Sequence, residues 1–488
     1  MNFFQHCCLR NRSEETGGKK FRATLLSIVS QFNLNVASLC LGAACIGLTL
    51  GWPETSIPHI IMIKCTDACY VDSRDGISTI HVIVNLGSCL GAIVPACVVD
   101  ISSRRCNFCI SAISSIFFWL IVGIARDTIA LMVGAAVGGF SAGLFIVTST
   151  MYVGEVTFPD QRGTVGSLAT FFAYLGMVIS TSISFFTIHQ LVSLFMCFLS
   201  VGFLLTIYIW MIESPYYLYE SGKTLEAKLA LKALRGANHI LEVDQEYKSM
   251  EKFFDFQATE RPRTETTLKL VVTSSWRRIP ASITMLLLCI SQMVGGYAMN
   301  AYTKQFLNNV NPEISKIIVA CLDLISVGLC VFLIEKIGRK PLLMFSIGGS
   351  SICCLILAID AILYQANNNH LLYSSEKLVT LSIIIIYYAS YSLGVVPILP
   401  LLTGEVFSSK MKTISISICI SSFYLAAMII EGIFETITFK KGWYVAFLSF
   451  TVIGSLGLLF VIVFLPETRA KSLSQIQNEL AEYSFFIT

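Results

Sequence analysis

Met151-Tyr-Val-Gly-Glu-Val-Thr-Phe-Pro-Asp-Gln-Arg-Gly163 lies between two apolar runs, and its pattern returns as Leu401-Leu-Thr-Gly-Glu-Val-Phe-Ser-Ser-Lys-Met-Lys412. In each copy a Gly-Glu-Val (Gly154 to Val156, Gly404 to Val406) is followed, seven residues past the Glu, by a base, Arg162 or Lys412. Two further patterns repeat in the same order. Asp100-Ile-Ser-Ser-Arg104-Arg105 returns as Glu335-Lys-Ile-Gly-Arg339-Lys340, and Glu213-Ser-Pro215 as Pro466-Glu467-Thr468. The offsets are 235, 250 and 254, and the step of 15 falls where Tyr364 to Lys377 is longer than its counterpart at Arg126-Asp127. A chain that repeats its polar punctuation in this way is a duplicated unit, the organisation of transporters whose halves move about a midplane site.

Between these patterns the chain is apolar. A helix crossing about 30 Å of hydrocarbon needs about 20 apolar residues. Twelve segments qualify, near 33–52, 77–99, 106–125, 128–150, 165–187, 190–212, 279–302, 315–334, 342–363, 378–402, 413–435 and 443–465. The fold class is therefore an all-α membrane protein: twelve transmembrane helices in two repeated six-helix bundles, over 33–212 and 279–465. The remainder is an N-terminal tail (1–32), a helical linker (213–278) and a C-terminal tail (466–488). Composition agrees. The 488 residues are 55% hydrophobic and 13% charged, against about 25% charged in soluble proteins. A net charge of +3 offers no basic face for nucleic acid, and no glycine pattern resembles a phosphate-binding loop.

If the N-terminus is cytoplasmic, the inner segments hold 26 of the 34 Lys and Arg. The positive-inside bias then places both termini in the cytoplasm of a multi-pass plasma-membrane protein. Trp52, Trp210, Trp276 and Trp443 fall at predicted helix ends, where an amphipathic ring belongs. Within the linker, Leu225, Leu229 and Ala233 form an apolar stripe beside Lys228, Lys232 and Arg235, the pattern of a helix lying under the membrane domain. Gly134, Gly138, Gly139 and Gly143 permit close helix packing. Most of the 17 cysteines sit in apolar runs as small hydrophobes. Cys65 and Cys69 lie in a polar stretch and are candidates for a disulfide. No zinc-type spacing repeats, so no metal is expected.

Glu155 and Glu405 lie past helices that end at the cytoplasm, where the macrodipole is negative. Arg162 and Lys412 precede helices that start there, where it is positive. Each charge needs a partner on a neighbouring helix. The expectation is a set of cross-helix ion pairs at the cytoplasmic rim, drawn from Asp100, Arg104, Arg105, Glu155, Arg162, Glu213, Glu335, Arg339, Lys340, Glu405, Lys412 and Glu467. Such pairs either clamp the structure or hold an inner gate shut.

Taken together, Met151 to Glu155 with Arg162-Gly163, Glu335 to Lys340, Glu213 to Pro215 and Pro466 to Thr468 resemble the sugar porter family of the major facilitator superfamily, which contains the facilitative glucose transporters. Gly51-Trp52-Pro53 with Ser56-Ile57-Pro58 after the first helix is most similar to the insect facilitated trehalose transporters in that family. The resemblance implies twelve helices, alternating access for a neutral sugar of the trehalose or hexose class, no cofactor, no nucleotide and no enzymatic activity.

The chain departs from the family pattern at Ile101 and Ser103 after the second helix, where the family has a basic residue and a Gly, at Ala135 in the fourth, where it has an Arg, and at several sugar-contacting positions. The seventh helix reads Ser291-Gln-Met-Val-Gly-Gly-Tyr297, retaining one Gln (Gln292) and one Gly of the family pattern. The fifth-helix Gln is replaced by Thr170. The tenth helix reads Val396-Pro-Ile-Leu-Pro400, without the sugar-stacking Trp but with helix-breaking prolines. Where the family has a sugar-contacting Asn in the eighth helix, this chain has Asp323. An intramembrane carboxylate faces a cavity or a partner; it either accepts from sugar hydroxyls, titrates to couple transport to protons, or pairs locally. Thr170, Ser291, Gln292, Tyr297, Asn300, Asp323, Tyr391 and Ser392 are the candidate substrate contacts. Glu431 and Glu435 are read as snorkelling to water, and His81 and Asn85 as packing residues. A transporter-like sensor without net flux and a proton-coupled symporter using Asp323 stay open beside the facilitative transporter.

Overall fold

The computed structural model describes residues 31–64, 73–98, 102–125, 127–186, 189–237, 239–259, 275–296, 299, 303, 312–367, 377–407, 409–469 and 471. Six long helices come first: α1 (Gln31–Lys64), α2 (Ser73–Cys97), α3 (Arg104–Ile124), α4 (Thr128–Val156), α5 (Arg162–Phe186) and α6 (His189–Ile209). Three short ones follow, α7 (Pro215–Glu220), α8 (Thr224–Arg235) and α9 (Asp244–Thr259), with a 3-10 turn over Ile240–Val243. Six more follow among the described residues: α10 (Ser275–Met293), α11 (Pro312–Ile337), α12 (Arg339–Asn367), α13 (Lys377–Val406), α14 (Ser409–Lys441) and α15 (Trp443–Phe464). Among the described residues eleven helices are long and apolar enough to cross a membrane, and the apolar part of α10, Ser282–Met293, is the shorter twelfth.

The duplication in sequence is a duplication in space. In the first six, α2 packs along α4, α1 along α5, and α3 against both α4 and α6. The equivalent helices pair identically in the second six: α11 with α13, α10 with α14, and α12 with α13 and α15. Between the halves the pairings are reciprocal, α2 with α14 and α5 with α11.

Several boundaries differ from the hydropathy reading. Helix α1 continues through Pro53 and Pro58, and α13 through Pro397 and Pro400. A proline removes one backbone bond, but unwinding in the membrane interior would strand several, so the helix carries on. Trp52 is therefore inside the helix and not at its end. It is buried, edge-on to Phe118 at 5.5 Å. Helices α4 and α13 extend to Val156 and Val406, so Glu155 and Glu405 occupy their last turns instead of following them. Helix α10 starts earlier than expected and stops at Met293, because Gly295 takes φ +101, a left-handed conformation that ends a helical run.

The linker helices build a small core from Leu218, Ala227, Leu231, Val243, Tyr247, Met250 and Phe254. The predicted stripe on α8 is not the buried one. Leu225 is 66% and Leu229 48% exposed, while Ala227, Ala230, Leu231 and Leu234 face inward. Small alanines allow a close approach, and Leu234 reaches the core of the first bundle beside Phe108, Tyr152 and Val156. Arg235 leaves the expected basic face as well. Its Nη1 donates to Val156 O at 2.9 Å, its Nη2 to Glu246 at 2.7 Å, and its Cζ lies 3.8 Å from the Phe158 ring centre. It thereby serves the free carbonyl end of α4. On α9, the Lys248 hydrogen bond holds the Asp244 carboxyl below the usual carboxylate range.

Candidate functional site

At the linker side of the first half, Arg104 opens α3 and Glu155 closes α4. Both are buried, with Arg104 Nε and Nη2 donating to the two Glu155 oxygens at 3.3 and 3.1 Å. Glu213 accepts from the backbone N–H of Arg104 (3.2 Å) and of Arg105 (3.3 Å), capping α3. Arg105 donates to Tyr208 O at the end of α6. Ser214 adds a hydrogen bond to Glu155.

The second half repeats this group by group. Arg339, opening α12, donates to Glu405 at 3.2 Å and to Glu335 at 2.8 and 3.1 Å. Glu467 caps α12 through the N–H groups of Arg339 and Lys340, both at 3.0 Å. Lys340 donates to Ile462 O near the end of α15, and Thr468 to Glu405 at 2.6 Å. The expected ion pairs are thus partly redistributed. Arg104–Glu155 and Arg339–Glu405 are pairs within one half. Glu213 and Glu467 are helix caps, and Arg105 and Lys340 serve helix C-terminal carbonyls, because backbone groups at helix ends need partners as much as the charges do. Asp100 lies outside the described residues. Ser214 and Thr468 were missed, although each directly follows a Glu that was quoted.

Arg162 and Lys412 stand differently. Each is buried, at 6% and 1% exposure, and neither has a carboxylate within 4.0 Å among the described residues. Their strongest attractions cross between the halves, Arg162 to Glu405 and Lys412 to Glu155. Glycines make the room. A Cβ on Gly154 would lie 2.5 Å from Lys412 Nζ, and one on Gly163 would lie 2.4 Å from Glu335 Oε1. The halves therefore meet at this rim with each cation seated on the other half.

Midway along the spans, α5, α10, α11 and α13 bring the candidate contact residues together. Asp323 on α11 is half-buried and accepts from the Ser392 hydroxyl of α13. The hydroxyls of Tyr174, Tyr387 and Tyr391 lie within electrostatic reach of that carboxylate. Where α10 breaks, its released carbonyls are recovered by tyrosines: Tyr391 donates to Ser291 O at 3.2 Å and Tyr387 to Val294 O at 3.4 Å. The two rings stack 5.7 Å apart at 9°. Ser291 is buried, with its hydroxyl bonded to Leu288 O, and Thr170 bonds back to Gly166 O. Gln292 is half-buried; its carbonyl accepts from Gly295 N at 3.4 Å, and its side chain has no hydrogen-bond partner among the described residues. Tyr297, Asn300, Cys65 and Cys69 lie outside the described residues. Tyr174 escaped the sequence reading, although its place four residues after Thr170 puts it on the same helix face.

Away from the linker, Asn85 of α2 donates to Glu431 of α14 at 2.8 Å, and Glu431 is only 9% exposed. Glu431 is thus a partner between the halves and not a carboxylate reaching for water, and Asn85 is more than packing. A hydrogen bond to a charged group contributes about 1.5–3 kcal/mol. Asn85→Ala is expected to lower the unfolding temperature of the purified protein, with Asn85→Asp weaker still from like-charge repulsion. Equal unfolding temperatures for wild type and both variants would refute this role.

The model of the family described as Sugar (and other) transporter matches residues 2–480. A facilitated trehalose transporter Tret1-2 homolog of Drosophila simulans is 26% identical over 470 residues, covering 95% of this chain and 92% of the relative. Facilitated trehalose transporter Tret1 of Culex quinquefasciatus is 26% identical over 452 residues, covering 92% and 85%. Among solved structures, the proton:xylose symporter XylE bound to 6-bromo-6-deoxy-D-glucose aligns with a TM-score of 0.76 at 18% identity, over 91% of this chain and 99% of that one. The same transporter from E. coli in an inward open conformation aligns with a TM-score of 0.62 at 18% identity, over 91% and 99%. At that identity the likeness speaks to the fold, which is that of the major facilitator superfamily. With a family model matching nearly its whole length, the chain belongs to the Sugar (and other) transporter family.

Proposed function

We propose that the protein carries a sugar of the trehalose or hexose class across the plasma membrane by facilitative alternating access, with both termini and the linker in the cytoplasm. The observation that carries this reading is the placement of polar and aromatic side chains at mid-span, where α5 of one half meets α10, α11 and α13 of the other. Substrate contacts come from Thr170, Gln292, Asp323, Tyr391 and Ser392, with Tyr297 and Asn300 following on the chain beyond the α10 break. A hydroxyl-rich solute needs several hydrogen-bonding groups together with apolar ring surface, and this set supplies both. The trehalose-transporter naming of the relatives supports the substrate class, and the excess of Lys and Arg on the linker side supports the orientation.

The rim is the moving part in this proposal. Each half is clamped internally by its own Arg–Glu pair and behaves as a rigid body, while the cross-half attractions of Arg162 and Lys412 hold the cytoplasmic side closed. Opening inward separates these cations from Glu405 and Glu155 and leaves the internal pairs intact. The test is uptake of labelled trehalose, glucose, fructose and polyols by a transport-null host, with net flux measured again in proteoliposomes. Saturable, ATP-independent flux of one of these sugars is the expected result. Sugar binding without flux would replace transport with a sensing role.

A further inference from the structure

Glycines make two kinds of close helix contact in this protein. The first lies within a half. A Cβ on Gly139 would sit 2.1 Å from Val84 O, and one on Gly91 would sit 2.1 Å from Phe140 O, both where α2 runs along α4. Such contacts persist whichever way a half is tilted. The second kind joins opposite halves, at the rim. A Cβ on Gly404, in the last turn of α13, would lie 2.9 Å from Thr150 O and 3.1 Å from Thr150 Cγ2 on α4. In return, a Cβ on Gly154, in the last turn of α4, would lie 3.0 Å from Gly404 O. The two last turns therefore touch backbone to backbone, with a hydrogen where any other residue carries a carbon. In the first turn of α5, a Cβ on Gly163 would lie 2.4 Å from Glu335 Oε1 and 2.7 Å from Arg339 Nη2, at the junction of α11 and α12. Those atoms cannot swing aside. Arg339 is fully buried, and its guanidinium is bonded to Glu335 and Glu405 at 2.8, 3.1 and 3.2 Å.

Each of these glycines adjoins a charge of the rim: Gly154 precedes Glu155, Gly404 precedes Glu405, and Gly163 follows Arg162. The close approach at the glycines thus sets the separation over which Arg162 attracts Glu405 and Lys412 attracts Glu155, and Coulomb attraction weakens as that separation grows. A side chain at these places strains only the arrangement with the rim closed. Once the halves part, it points into the space between them. Strain confined to one of two states shifts their populations and leaves the fold alone.

We propose that Gly154, Gly163 and Gly404 are positioning residues of the inner gate: they let the halves approach closely enough for the cross-half cations to hold the rim shut, and a side chain at any of them biases the protein toward the inward-open state. This role rests on the transport reading for the rim as a gate, and it adds which residues set the balance between the two states.

Hydrogen–deuterium exchange of the purified full-length protein in detergent reads the rim without any sugar. In Gly163→Ala and Gly404→Val, exchange over 146–156, 162–167 and 399–406 is expected to quicken about tenfold, the scale of overpacking one close contact. The outer ends of α2 and α14, over 79–86 and 425–433, should exchange no faster than in the wild type. Gly404→Ala should shift the same rim segments less, because a methyl displaces α4 less than a branched chain does. Unfolding temperatures should stay close to the wild type in all three. Gly202→Ala, with nothing within 4 Å of its Cβ, is the control. Wild-type exchange at the rim in all three variants overturns the proposal. So does faster exchange throughout both halves with a lowered unfolding temperature, or failure of Gly404→Ala to fold, since these glycines then pack the fold and do not set the gate. Flux of the sugar panel in proteoliposomes keeps the two readings apart. Rim opening in the variants with no wild-type flux supports the gate glycines and sinks the transport reading; wild-type flux with unmoved rim exchange does the reverse.

Discussion

Gly143→Val is expected to abolish recovery of folded protein, and Gly47→Val to do the same. A Cβ at Gly143 would lie 1.9 Å from the carbonyl oxygen of Ser88, and one at Gly47 would lie 1.8 Å from that of Ala173. These are contacts between helix backbones, α4 on α2 and α1 on α5, and no side chain can rotate away to relieve them. Ordinary overpacking of a core costs about 1–3 kcal/mol because neighbours shift. Here a whole helix must be pushed outward along its length, and the loss should exceed that range. Gly202→Ala is the control, since nothing lies within 4 Å of the position its Cβ would take. The measurement is the monodisperse peak in detergent size exclusion. Normal recovery of the Gly143 and Gly47 variants would show that the paired helices are not in backbone contact.

Arg339→Met is expected to destabilise the protein by about 3–5 kcal/mol, the cost of leaving a buried carboxylate without its cation. Of its hydrogen bonds Glu405 would keep only that from the Thr468 hydroxyl, with Arg162 attracted from beyond 4.0 Å, and Glu335 would lose its bidentate partner. Arg104→Met should act alike in the first half, where Glu155 loses both of its guanidinium contacts. Exposed pairs behave otherwise, so removing Lys223 from its contact with Glu226 at 3.5 Å should change stability too little to detect. The double change Arg339→Met with Glu405→Leu should recover much of the lost stability, because a buried pair replaced by apolar groups is close to neutral. Transport should not recover, since Arg162 then faces no carboxylate at position 405. Thermal unfolding and uptake, measured on the wild type and these four variants, check both statements. A single-variant cost below about 1 kcal/mol would class these pairs with surface pairs.

Much of the architecture was legible before any coordinates. Apolar runs of span length and three polar patterns in matching order were enough for twelve helices in two halves, because a bilayer tolerates few spanning structures and duplicated loops mark duplicated bundles. The end of α10 was not legible. Hydropathy continues past Met293, and only the left-handed Gly295, with tyrosines from α13 taking up the freed carbonyls, shows where the helix stops. Trp52 misled for a related reason. An aromatic residue beside a proline reads as a helix end, whereas the helix passes through and buries it.

The site shows the same division. Asp323 could be singled out because a charge at mid-span is costly wherever it faces. Its companions depend on which helices lie side by side, so Ser392 was nameable only as a general candidate and Tyr174 not at all.

By itself, the sequence determined which residues carry charge at the rim and that they come in two equivalent sets, since periodicity and spacing are properties of one chain. The tertiary structure decided who partners whom. Glu155 takes Arg104 and Glu405 takes Arg339 from within their own halves, while Arg162 and Lys412 are left attracted across to the other half. An ion pair depends on distances of a few ångströms between helices far apart in sequence, and those distances follow from the way glycine, alanine and serine faces let particular helices approach, which no single segment specifies.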